Sequence, residues 1–257
     1  MYILAIYNAK GGVGKSTTAV NLAAALAEKG RRTLVVDLDP QGSSSQALGV
    51  REDGRELAEA LLGQGPLVPH ATPYANLDLV PSGLALAGAE KALTRELGAE
   101  MILRNKLSRL TGYEQVILDP GPGIGVLSVG ALAAAHGVLV PVTPHPLSLG
   151  GLASLLSALE TVKERLNPRL ELDAIVLTMF DARTGLAKQI EEDLRGRFGD
   201  RVHRTVVRQN VKIAEAAGHG RPVLAYAPES HGAADYRALA RERIQRMAKR
   251  DLVAMTA

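Results

Sequence analysis

The sequence predicts an α/β chain: a doubly wound, mostly parallel sheet flanked by helices. Three observations carry this reading. Short β-branched runs alternate with longer helical patterns from one end of the chain to the other. Most of the short runs are apolar on both faces, as strands covered by helices on each side must be. No internal repeat, low-complexity tract or linker divides the 257 residues, so 1–257 reads as a single domain.

In chain order, strands are expected at Tyr2 to Asn8, Arg32 to Asp39, Asn76 to Ser82, Gln115 to Asp119, Gly137 to Thr143 and Glu171 to Phe180. A seventh is expected at Val202 to Val207, "VHRTVV". Helical spacing marks Ser16 to Lys29, Ala89 to Leu110, Leu147 to Leu166, Gly185 to Phe198 and Tyr236 to Lys249. The Pro- and Gly-rich stretch Gly63 to Tyr74 reads as a loop inside the domain.

Composition removes several kinds of chemistry. With no cysteine, the chain has no disulfide, thiolate metal site, cysteine nucleophile or cysteine-ligated iron–sulfur cluster. The apolar start, Tyr2 to Tyr7, is too short for a signal peptide and has no basic leader. The longest apolar run, Val129 to Val142, is broken by His136 and Gly137 and is too short to span a bilayer. A soluble, cytoplasmic protein is expected. From Asp181 onward there are 15 Lys/Arg against 10 Asp/Glu, while the rest carries 15 against 17. A basic C-terminal third suggests a polyanion partner, although basic helix faces are commonly just solvated. The six histidines fall in separate segments without metal-ligand spacing. Ser43 to Ser45 have no neighbouring histidine motif to make them nucleophiles.

The stretch Asn8 to Thr17, "NAKGGVGKST", follows a predicted strand and opens a predicted helix. That is the setting of a phosphate-binding P-loop, although Ala9 stands where the pattern asks for its first glycine. Gly11, Gly12 and Gly14, with Val13 among them, let backbone N–H groups approach phosphate oxygens. Lys15 reaches the β/γ-phosphates, the Ser16 hydroxyl ligates Mg²⁺, and Thr17 continues the helix whose N-terminus favours the anion. A second lysine, Lys10, is lodged in the loop. "VVDLDPQG" ends a strand with Asp37 and Asp39, two residues apart and so on one face. One carboxylate can serve the metal and the other a water, or both can cap the turn that follows. "VILDPGPGIG" carries Asp119 out of an apolar strand into a Pro/Gly turn, which suits a magnesium-holding Walker B aspartate with a phosphate-sensing turn behind it.

Together, "KGGVGKST", "VDLDPQG" and "VILDPG" resemble the deviant Walker A ATPases, and within them the ParA/Soj group of chromosome and plasmid partition proteins. The similarity continues through "ALAAAHGVLVPVTP", "LTMFDARTGLAKQI", "QNVKIAEAAGHGRPV" and "GAADYRALARE", from Ile3 to about Arg243. It is to the short, Soj-like form, without a DNA-reading segment ahead of the P-loop. The resemblance implies a role for Lys10: it crosses to the phosphates of the nucleotide held by a second subunit. Two subunits would then sandwich two ATP molecules with Mg²⁺, and slow hydrolysis stimulated by a ParB-like activator would release the homodimer. By the same resemblance Asp39 positions the attacking water and Asp119 supports Mg²⁺, with Ser16 and Asp37 as the other expected metal residues. Met179 and Asn210 stand where the group recognises adenine.

In Soj-like proteins basic residues bind double-stranded DNA without sequence preference, so the protein would be nucleoid-associated. Arg183 and Lys212 match two such positions, and Arg208 lies in the run Arg201, Arg204, Arg208, Lys212, which no acid interrupts; Arg221 follows. Two motifs depart from the group. Asp119-Pro-Gly-Pro-Gly123 replaces its D-[TA]-P-P turn, and Arg208-Gln209-Asn210 replaces "PRN". A MinD-like alternative rests on the last helix, where Leu239, Ile244, Met247 and Leu252 could form a membrane-facing stripe. The stripe is thin, and packing onto the sheet is the expected use, with no membrane partner. A ParA-like protein positioning another cargo would share every residue named above.

Overall fold

The computed structural model describes residues 1–256, and for Leu147, Leu149 and residues 250–256 the backbone alone. Strands β1 (Tyr2–Ile6), β2 (Thr33–Leu38), β3 (His70–Ala71), β4 (Leu77–Val80), β5 (Gln115–Pro120), β6 (Gly137–Val142) and β7 (Glu171–Leu177) form one seven-stranded sheet in the order β3-β4-β2-β5-β1-β6-β7. All neighbours pair in parallel except β3, which runs antiparallel against Asp78 and Leu79.

The helices are α1 (Lys15–Glu28), α2 (Ser43–Ala47), α3 (Arg55–Leu61), α4 (Ala85–Leu93), α5 (Ile102–Leu107), α6 (Val126–Ala134), α7 (Pro146–Arg165), α8 (Gly185–Phe198), α9 (Val211–Gly218), α10 (Val223–Tyr226) and α11 (His231–Thr256). They cover both faces, and alternation along each strand decides which face a residue serves. Ile3, Ala5, Leu34, Val36, Val116 and Leu118 join the core under α3 to α8. Leu4, Ile6, Val35 and Ile117 join the other core, under α1 and α9 to α11. Neighbouring strands β1 and β5 therefore send their following helices, α1 and α6, to opposite faces. Such a reversal opens a crevice at the carboxyl ends of the two strands, the usual ligand position in an open α/β sheet.

Three expectations change. The segment Val202 to Val207 is not a strand but touches the sheet at isolated bridges, Ile175 with Val202 and Phe180 with Arg208. The N–H groups of Arg204 and Thr205 donate instead to the Glu242 carboxylate of α11, at 2.8 and 2.9 Å. The seventh strand is β3, inside the stretch expected to be a loop. The long helix expected from Ala89 to Leu110 is two, α4 and α5, separated by a turn with Gly98 at a left-handed φ of 74°. Helix α6 occupies an apolar run that carries no period, so its pattern did not distinguish helix from strand. On α11, Leu239 is buried, Ile244 packs on the core under α1 and Met247 is half-buried; the Leu252 side chain lies outside the described residues. No helix among the described residues is long and apolar enough to cross a membrane.

Beyond β4, two glycines allow backbones to touch. A Cβ at Gly54, whose φ is 78°, would lie 2.3 Å from the Gly83 nitrogen. Gly54→Ala should therefore lower the unfolding free energy by about 2–4 kcal/mol, read from urea unfolding. Gly88→Ala, in mid-α4 with nothing within 4 Å of its added Cβ, should raise it by about 0.5–1 kcal/mol.

Candidate nucleotide-binding site

Residues 8–14 join β1 to α1 with Gly12 and Gly14 at φ of 74° and 82°, a left-handed backbone that side chains disfavour. Helix α1 begins at Lys15 with no side-chain cap among the described residues and no acid in its first turn. Its free N–H groups and positive dipole end thus face the crevice uncompensated, as an anion site requires. Lys15 is 7% exposed and donates from Nζ to the Lys10 carbonyl at 3.0 Å. Burial lowers its pKa, with Asp119 and then Asp39 acting in the opposite direction. Lys10, by contrast, is exposed.

Asp37 and Asp119 are register partners on β2 and β5, both wholly buried. Asp37 is fully engaged: Oδ2 accepts from the Ser45 N–H and hydroxyl, at 2.8 and 2.7 Å, and Oδ1 from the Asp39 N–H. Burial, then the Asp119 charge, push its pKa up to about 7. Asp119 accepts from the Ser44 hydroxyl on Oδ2 at 2.7 Å, while its Oδ1 is buried without a hydrogen-bond partner among the described residues. Burial raises the Asp119 pKa against the opposing Ser44 and Ser16 hydroxyls. A buried carboxylate with one oxygen left over, on a side chain that the Ser16 hydroxyl also approaches, suits a hard divalent cation such as Mg²⁺. Of the three candidate metal residues, Ser16 and Asp119 thus offer the open oxygens, and Asp37 shapes the turn into α2.

Asp39, half-buried just past β2, accepts from the Gln41 N–H at 2.9 Å, and its carbonyl accepts from the Ser82 hydroxyl at 2.8 Å. Its carboxylate lies against the turn after β5: a Cβ at Gly121 would come within 3.3 Å of Asp39 Cγ. Glycine at that point of "DPGPG" makes room for the carboxylate. Glu90 of α4 stands on the other side of the turn, close to Gly125, with its pKa raised by burial and then by Asp39.

The Met179 end of the crevice is built from β7 and the segment beside it. Thr178 donates its hydroxyl to the Val13 carbonyl at 2.9 Å, fastening the end of β7 to the phosphate loop. Met179 follows at a left-handed φ of 51°, 46% exposed. Phe180 and Gln209 exchange backbone contacts with the neighbouring segment, which brings Asn210 alongside; Asn210 caps α9 by accepting from the Lys212 N–H at 2.8 Å.

The three candidate DNA residues lie along this same edge. Arg183 is 89% exposed at its side chain and forked onto Asp181, and Lys212 pairs with Glu215 at 2.8 Å. Arg208 is used differently. Its guanidinium and N–H both bind the nearly buried Asp235, holding the 208–210 segment to α11. Sequence reasoning gave no work to Ser44, Ser45, Ser82 or Glu90. The one visible signal of Ser44 and Ser45 is their place at the start of a helix right after an Asp-Pro-Gln-Gly turn.

A family model described as an AAA domain matches residues 1–172. The chain is 47% identical to the chromosome-partitioning ATPase Soj of Thermus thermophilus over 95% of this chain and 96% of the relative. To the chromosome partitioning protein ParA of Myxococcus xanthus it is 42% identical, over 95% of this chain and 88% of the relative. Among solved structures it resembles cobyrinic acid a,c-diamide synthase from Mycobacterium smegmatis with bound ATP analog and magnesium. That likeness has a TM-score of 0.81 and 33% identity, over 93% of each chain.

The paired aspartates make stability depend on pH. A carboxyl whose folded pKa is raised stabilises the fold while protonated; for Asp37 the contribution is complete below about 3.8 and is lost as pH rises through about 7. Asp119→Asn removes the neighbouring charge. The variant should exceed wild type in urea-unfolding free energy by about 1–3 kcal/mol at pH 8, with the gain vanishing at pH 4.

Proposed function

The chain belongs to the ParA/Soj family of chromosome-partitioning ATPases, and we propose that it acts as a single-domain, ATP-dependent dimerising switch that carries DNA-bound cargo in chromosome or plasmid segregation. The division of labour between its two loop lysines carries this reading. Lys15 is buried and turned into its own loop, while Lys10 is exposed. One ammonium thus suits the nucleotide held in cis, and the other is available to a nucleotide presented by a second subunit.

In this mechanism Gly11 to Thr17 bind the phosphates through backbone N–H groups and the α1 N-terminus. Ser16 and Asp119 would hold Mg²⁺, with Asp37 supporting their geometry through Ser45. When bound, the metal neutralises phosphate charge and polarises the γ-phosphoryl group. Asp39 accepts a hydrogen bond from the attacking water and aligns it, with Gly121 leaving space beside the carboxylate. Met179 and Asn210 flank the adenine. Hydrolysis is slow until a ParB-like activator completes the arrangement, and the dimer then falls apart. Arg183 and Lys212 contact DNA phosphates. Their present partners, Asp181 and Glu215, are carboxylates still open to solvent, and solvent-screened pairs of that kind are readily exchanged for phosphate. The chain works in the cytoplasm, on the nucleoid.

Binding to random double-stranded DNA, measured with ATP, ADP and no nucleotide across a salt series, tests the reading. Wild type should bind with ATP and weaken steeply with salt, with Arg183→Ala lowering affinity and the salt slope by about one. Lys10→Ala should keep ATP affinity within about threefold yet lose ATP-dependent DNA binding at least tenfold. Asp39→Ala should bind ATP while losing hydrolysis on the order of a hundredfold or more. Intact ATP binding without DNA binding in any nucleotide state would remove DNA as the track.

A further inference from the structure

Both backbone polar groups of Gly123 are held from the phosphate loop and the residue that leads into it. Its N–H donates to the Ala9 carbonyl at 3.0 Å, and its carbonyl accepts from the Tyr7 hydroxyl at 2.9 Å. Tyr7 continues β1 by one residue, its N–H donating to Leu139, and its side chain is buried on the α6 face of the sheet at 1% exposure. The phenol also meets Ser128, whose hydroxyl accepts from the Gly125 N–H at 2.8 Å and donates to the Gly125 carbonyl at 3.0 Å. One side chain thus touches the turn after Asp119 and the first turn of α6 together. Burial raises the pKa of the phenol, so it remains a proton donor throughout the working range.

The turn itself is built to move about this point. Pro120 and Pro122 have fixed φ, so adjustment falls to the glycines. Gly123 sits at a φ of 86° with nothing within 4 Å of an added Cβ, so glycine serves conformation there and not space. A single part-buried hydroxyl-to-carbonyl bond is either made or broken, which is the discrete behaviour that coupling between sites requires.

We propose that Tyr7 is a positioning residue that couples the phosphate loop to α6: its hydroxyl, with the Ala9 carbonyl, carries a shift of the loop on triphosphate binding to Gly123 and so to the helix that follows. The proposal rests on the ATP-switch reading and deepens it. Ring packing alone would not do this, because an apolar ring stabilises the core but cannot pull on a carbonyl.

Hydrogen exchange over residues 121–134 tests the proposal, measured by mass spectrometry with ADP and with a non-hydrolysable ATP analogue. Wild type, Tyr7→Phe and Tyr7→Leu are compared, with a fluorescent ATP analogue to measure affinity. The expected result is slower exchange with the ATP analogue in wild type and at least a threefold smaller nucleotide difference in both variants. Affinity should stay within about twofold in Tyr7→Phe, which keeps the ring and the fold. A wild-type difference in Tyr7→Phe, whether or not Tyr7→Leu loses it, assigns the residue to packing and overturns the proposal. No nucleotide difference in wild type itself would overturn the switch reading as well, and so separates the two failures.

Discussion

Three ionisable groups, Lys15, Asp37 and Asp119, are withdrawn from water at the carboxyl ends of β1, β2 and β5, and much of the molecule follows from keeping them there. Buried charge is costly unless hydrogen bonds or opposite charge compensate it. Asp37 meets the requirement with three donors, all from the turn and short helix that follow its own strand. Asp119 meets it incompletely, with one oxygen satisfied by Ser44 and the other left over. That difference separates a carboxylate that shapes the site from one that has capacity for a cation. Two strands ending side by side in aspartates would repel each other in any open arrangement. The structure tolerates them because one is fully hydrogen-bonded and a buried ammonium lies near the other.

The crevice is also where elements from distant parts of the chain are fastened together. Val13 is bound by Thr178, Ala9 by Gly123, and the Asp39 turn by Ser82. These bonds reach the loop or the Asp39 turn from the ends of β7, β5 and β4, so phosphate at the centre can influence several edges together. The loop's glycines supply the backbone freedom, and the strands behind it supply the rigid frame.

Much of this was legible in the sequence, because its strongest signals are local. The alternation of apolar runs with helical patterns gave the doubly wound sheet, and α8 was bounded correctly because Thr184 caps it and Gly199 ends it. The phosphate loop was legible because glycine spacing and a following helix are sequence properties. Less legible were features decided by distant partners. Val202 to Val207 has the composition of a strand, but Glu242 on α11 takes two of the amides a ladder would use. Arg208 reads as a surface cation until Asp235 is placed beside it. Ser44 and Ser45 look like filler until the register of β2 and β5 brings Asp37 and Asp119 above them. In each case the deciding atom lies at least seven residues away.

The dependence of the 202–210 segment on α11 has a consequence for how the protein is made. Beyond two bridges to the sheet, that segment is held by Glu242 and Asp235, which lie 38 and 27 residues further along the chain than the Arg204 and Arg208 amides they bind. Synthesis proceeds from the N-terminus, so the phosphate loop and its aspartates leave the ribosome long before the residues that fasten this wall. A nascent chain can hold the pieces of a phosphate cradle while the Asn210 side of the crevice still lacks its α11 supports. Fastening of that wall is thereby tied to residues 235–242, and a chain broken off before Asp235 would lack the carboxylates that hold it.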